Sequence, residues 1–80
     1  MIRLVFLGRL ADLAGAPQRE IAAAAPLSLA ELLRALDQEL ADALHDARIR
    51  LAVNGTLVMR DGLIVQPGDE IAFLPPVSGG

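Results

Sequence analysis

Residues 69–80 read DEIAFLPPVSGG, and this stretch decides how the chain is put together. Within it EIAFL, residues 70–74, has the period-2 pattern of a strand. Ile71 and Phe73 fall on one face, Ala72 and Leu74 on the other. Just before it, Gln66-Pro67-Gly68-Asp69 places proline and glycine where a type II turn takes them, with Asp69 positioned to satisfy backbone donors. Just after it, Pro75 and Pro76 fix φ and favour an extended course of about 3.1 Å per residue. Val77 and Ser78 are small, and Gly79 and Gly80 have no side chain. A strand that passes at once into a stiff, narrowing tail predicts a body at residues 1–74 and a projecting arm at 75–80.

Working outward, IRLVFL at residues 2–7 also alternates, with Ile2, Leu4 and Phe6 opposite Arg3, Val5 and Leu7. RLADLAG at 9–15 predicts a short helix stopped by Gly15, and REIAA at 19–23 a returning strand after Pro17. Ser28 and Glu31 form an S-x-x-E capping box, in which each side chain satisfies the other residue's free backbone N–H. From there Leu29, Leu32, Leu33, Leu36 and Leu40 recur on one helical face, while Glu31, Arg34, Asp37, Gln38 and Asp42 cover the other. The spacing predicts one core helix of three to four turns. RIRLAV at 48–53 and TLVM at 56–59 flank Asn54-Gly55, a strong hairpin signal, and Asp61-Gly62 marks another turn. The expected fold class is α+β: a mixed sheet of about five strands with one main helix packed across it. Its expected core includes Leu32, Leu33, Leu36, Val53, Ile71 and Phe73.

One helix covers one side of a sheet. The other side would then carry Val5, Leu7, Ala72 and Leu74, with Leu57 joining across the sheet. An uncovered face should be polar. Apolar residues there point to a surface that a partner covers, with Leu7, Leu57 and Leu74 as candidate contacts.

Composition narrows the chemistry. The chain has 80 residues, 54% hydrophobic and 21% charged, enough for a single modest core. It has no cysteine, which excludes disulfides, iron–sulfur clusters, thiolate zinc sites and cysteine nucleophiles. A net charge of −3 argues against a nucleic-acid partner. No apolar stretch suits a membrane span or a secretion signal, so the expected location is the cytoplasm. His45 stands alone beside Asp46 near the end of the helical segment, as a solvated residue or a partner of the helix dipole. Asp37, Glu39, Asp42 and Asp46 read as a solvated face. No phosphate loop or metal-ligand spacing is present, so the body has no active site of its own and no cofactor or metal is expected on it. All seven positive charges are arginine. Arginine-favouring codon usage yields this, and so would a need to keep amines away from an activated carboxyl end.

The N-terminal strand, AVNG at 52–55, PGDEIAF at 67–73 and above all the ending FLPPVSGG resemble the small-subunit family of molybdopterin synthase. That family consists of ubiquitin-like β-grasp sulfur carriers, and the resemblance runs over essentially the whole chain. It implies that a ubiquitin-activating-like adenylyltransferase, using ATP, adenylates the Gly80 carboxylate. A sulfur donor protein then converts it to a thiocarboxylate. The large catalytic subunit takes Pro75, Pro76, Val77, Ser78 and Gly79 into a channel and passes the sulfur to cyclic pyranopterin monophosphate in molybdenum cofactor biosynthesis. A sulfur carrier for thiamine, cysteine or tRNA thiolation, a protein modifier, and a plain interaction module remain as alternatives for the same ending.

Overall fold

In the computed structural model, which describes residues 1–76, the alternating segments from the two ends of the chain meet at the centre. Strand β1 (Ile2–Phe6) pairs in parallel with β7 (Glu70–Leu74), with Leu4 opposite Ile71 and Phe6 opposite Phe73. β2 (Gln18–Ile21) flanks β1 antiparallel, β4 (Arg50–Val53) flanks β7 antiparallel, and β5 (Thr56–Val58) closes the other edge against β4. The sheet order is β2-β1-β7-β4-β5. Parallel neighbours cannot be joined by a tight turn, so the chain between them crosses over the sheet, and its helices pack on one face. This is the β-grasp arrangement of a mixed five-stranded sheet around a helical layer.

The inward side chains of both central strands are fully buried: Ile2, Leu4, Phe6, Ile71 and Phe73 lie between 0% and 2% exposed. The Phe6 and Phe73 rings stack with centroids 5.8 Å apart and planes 14° from parallel. Leu32, Leu33 and Leu36 pack onto them as expected, together with Leu10, Leu40, Leu44, Ile49, Leu51 and Val65. Val53 departs from the expectation. It is half-buried at the rim of the core, because β4 ends there and the chain turns away.

The expected single helix is two helices, α2 (Leu29–Arg34) and α3 (Gln38–Leu44). The capping box starts α2 as read: Ser28 Oγ accepts from the Glu31 N–H at 3.2 Å, and Glu31 Oε1 accepts from the Ser28 N–H at 2.9 Å. The break comes at Asp37, whose backbone is extended (φ −64°, ψ 156°) and whose carboxylate accepts from the Leu40 N–H at 3.3 Å. Asp37 is therefore the N-cap of a second helix and not a residue of the polar face. The leucines on either side still face the same core, so their spacing conceals the interruption. A short helix, α1 (Arg9–Ala14), ends at Gly15 (φ 79°), as expected.

The turns follow the sequence signals. Asn54 (φ 50°) and Gly55 (φ 86°) join β4 to β5 with positive φ at both positions, the type I′ pattern. Asp69 N–H donates to Gln66 O at 3.0 Å across Pro67-Gly68, and Asp69 Oδ2 accepts from the Gln66 N–H at 2.9 Å. Two short strands were not anticipated: β3 (Leu27–Ser28) pairs antiparallel with β6 (Ile64–Val65). Each is two residues long, too short for alternation to register.

Phe73→Ala removes a fully buried ring that stacks on Phe6, and should destabilise the domain by about 3–5 kcal/mol in urea unfolding. A loss below about 1 kcal/mol would contradict this packing.

Candidate functional site

The site begins where the central pair ends. Leu7 N–H donates to Phe73 O at 3.1 Å, which carries the β1–β7 ladder one step past β1. The chain then leaves β7 through Pro75 and Pro76, both half-buried. The ring of Pro75 sits against Gly8, the residue that caps α1. Gly8 has φ 56° and ψ −135°, a conformation for glycine only, and a Cβ built there would lie 3.2 Å from Pro75 Cγ. Gly8 thus serves two needs at once, the sharp entry into α1 and a close seat for the root of the tail. No sequence signal singled it out, because the contact joins residues at opposite ends of the chain. The candidate tail residues Val77, Ser78, Gly79 and Gly80 lie outside the described residues.

The candidate partner contacts fall on one face. Register places Gln18, Val5, Ala72, Ala52 and Leu57 in a single row across the sheet, on the side away from the helices. Leu7 and Leu74 stand in the next row toward the tail. Leu57 is 58% exposed and Leu7 41%, whereas Leu74 is half-buried. The structure therefore brings Leu7 and Leu74 together, and joins them to Leu57 through Ala72 and Ala52. Met59, just past β5, is 79% exposed and was not anticipated.

Beside the tail root a cleft of about 650 Å³ opens between the end of β7 and the start of β4. Leu57, Val58, Leu74, Pro75 and Pro76 supply its apolar wall, and Arg48, Arg50 and Arg60 its charges. Arg60 is mostly committed within the fold. Its Nη2 donates to the carbonyls of Leu44 at 3.0 Å, Asp46 at 2.8 Å and Ile49 at 3.1 Å. It thereby satisfies the end of α3, a helix with no basic residue in its own last turn, and pins the connection that forms one side of the cleft. Arg48 pairs with Asp46 at 2.8 Å, and that bond brings the Asp46 carboxyl down to about 2. His45 is the exposed C-cap of α3. Among the described residues no three His, Cys, Asp or Glu side chains converge as a metal site would require, and no helix is long and apolar enough to cross a membrane.

Known proteins agree with this geometry. The family model described as the ThiS family matches residues 4–80. The chain belongs to that family. It is 39% identical, over the full length of both chains, to the molybdopterin synthase sulfur carrier subunit of Escherichia coli K12. Among solved structures, SAMP1 from Haloferax volcanii superposes with a TM-score of 0.75 at 26% identity, covering 99% of this chain and 98% of that one. A complex of subunits 1 and 2 of molybdopterin-converting factor from Helicobacter pylori contains a chain with a TM-score of 0.67 at 27% identity, covering 99% and 97%. Family membership and the ubiquitin-like β-grasp fold are thus established together.

Gly8→Ala should lower stability by roughly 1–3 kcal/mol in denaturant unfolding, since a side chain at that backbone conformation is strained and crowds Pro75. An unchanged midpoint would show that the tail root is not seated on Gly8.

Proposed function

We propose that this chain is the sulfur-carrier small subunit of molybdopterin synthase, and that its working group is the carboxyl end of Gly80. The observation that carries this reading is the full-length 39% identity to a protein of that name. The body supports it physically. A domain without cysteine has no thiol on which to hold sulfur, and one without lysine has no side-chain amine to attack an activated chain end, which suits a carrier that works through its terminal carboxylate. The proline pair at the tail root, one ring seated on Gly8, stiffens the point where the chain leaves the sheet.

In this reading an ATP-dependent enzyme of the ubiquitin-activating type joins the Gly80 carboxylate to AMP and releases pyrophosphate. Sulfide-level sulfur from a donor protein attacks the carbonyl carbon; the C–S bond forms, the C–O bond to AMP breaks, and the end becomes a thiocarboxylate. Exchange of oxygen for sulfur lowers the basicity of the group and makes it a soft nucleophile near neutral pH. The large subunit then receives the arm: Pro75, Pro76, Val77, Ser78 and Gly79 occupy its channel, and the sulfur passes to cyclic pyranopterin monophosphate. The acid–base groups for that transfer belong to the large subunit. Its docking surface on this chain is the apolar face that contains Leu7, Leu57 and Leu74. The Helicobacter pylori structure, a complex of two subunits with a chain of this fold, supports a partner of that kind.

Leu74→Asp tests the face. A carboxylate placed under the partner without a counter-charge costs several kcal/mol, so calorimetry should detect no complex with the large subunit while the free domain stays folded. Wild-type affinity would remove the face from the reading.

Gly80 tests the carrier itself. Incubated with the activating enzyme, ATP and a sulfide source, the wild-type chain should gain in intact-mass spectrometry the difference between one sulfur and one oxygen, localised to Gly80. Deleting Gly80 draws the carboxylate back by one residue, about 3.3–3.6 Å, out of reach of groups fixed in the partner's channel. The deletion should abolish molybdopterin synthesis without lowering the melting temperature. A truncated chain that still supported synthesis would exclude the carrier role.

A further inference from the structure

The uncovered face carries its charges unevenly. Its outward side chains form three rows. In the row farthest from the tail, Arg3 stands between Glu20 and Glu70, and its Nη1 lies 3.7 Å from Glu70 Oε2, so the one positive charge there is already paired within the chain. The middle row, Gln18, Val5, Ala72, Ala52 and Leu57, is uncharged. In the row nearest the tail, Arg50 stands directly opposite Leu74 and lines the cleft together with Pro75 and Pro76.

Of the three arginines of that cleft, two are already engaged. Arg48 is paired with Asp46, and Arg60 donates to three backbone carbonyls. Arg50 is exposed and makes no salt bridge or side-chain hydrogen bond among the described residues. A protein that seats on Leu74 must also cover its neighbour Arg50. Taking a guanidinium out of water without acceptors is costly, and a carboxylate, which brings both acceptors and a counter-charge, offsets that cost best.

We infer that the partner covering this face presents an aspartate or glutamate carboxylate to Arg50 at the root of the tail, which makes Arg50 a specificity-determining residue for uptake of the arm. The inference rests on the reading of this face as the large-subunit surface and adds the chemistry of one contact. The planar guanidinium fork suits a bidentate carboxylate. The surroundings also favour orientation. The chain has a net charge of −3, so an acidic partner segment is favoured at Arg50, unpaired among the described residues, over the chain's acidic positions. The same contact rejects partners with an apolar or basic group at that place.

The test is calorimetric binding to the large molybdopterin synthase subunit encoded in the same genome, at low and moderate salt. Arg50→Ala should weaken the complex by roughly tenfold or more, and Arg50→Glu by roughly a hundredfold or more, with a shallower salt dependence in both. Melting of the free domain should be unchanged. Replacing the partner's acidic residue that faces position 50 with arginine should restore binding to Arg50→Glu. Leu74→Asp is measured alongside. If Leu74→Asp abolishes binding while both Arg50 variants bind as wild type, the face is a partner surface and the carboxylate inference is overturned. If Leu74→Asp and Arg50→Glu both bind as wild type, the face is not the docking surface and both readings fall.

Discussion

The parallel pairing of β1 with β7 is the constraint on which the rest of the molecule depends. It joins residues near the start of the chain to residues near its end, with Phe6 opposite Phe73 and their rings stacked at 5.8 Å. Parallel strands need a crossover, and here nearly the whole chain supplies it. Both helices that follow the capping box must therefore lie on one face, where Leu32, Leu33, Leu36, Leu40 and Leu44 close over the two rings. Because the two strands run the same way, β7 ends beside Leu7 and Gly8, and the departing prolines find a seat there.

The same constraint produces the asymmetry from which function is read. One sheet face is buried by the helices; none of the described helices covers the other, yet its middle row is valine, alanine and leucine apart from Gln18 at the edge. The tail leaves from one end of that bare face. The proposed docking face and the root of the proposed arm therefore lie side by side. The charged side chains mark the ends of the surface: the Arg3–Glu70 ion pair at one end, and Arg50 beside the cleft at the other.

Legibility of the fold varied with how local each determinant was. The Ser28–Glu31 box, the Asn54-Gly55 hairpin and the Pro67-Gly68 turn involve residues a few positions apart, and each formed as its spacing indicated. The split between α2 and α3 was hidden because Leu33, Leu36 and Leu40 face one core whether or not the backbone stays helical between them. An aspartate followed three residues later by a leucine N–H in need of an acceptor was the signal available, and Asp37 could have been read as a cap. The arginine that satisfies the end of α3 could not have been found so easily, since Arg60 reaches its three carbonyls from 11 to 16 residues away. β3 and β6 left no pattern at all.

The sequence by itself determined the alternating strands, the apolar helical face, the turns and the narrowing tail, because each depends on backbone preference or on side-chain period within a short window. It also determined which chemistry is absent, since a chain without cysteine or lysine cannot supply those groups however it folds. The tertiary structure alone decided what becomes of the parts. Only pairing across 67 residues sets Phe6 on Phe73 and Pro75 on Gly8, and only pairing across 24 sets Arg50 beside Leu74. Those contacts depend on register between strands far apart in the chain, where a shift of one residue would send every side chain to the opposite face.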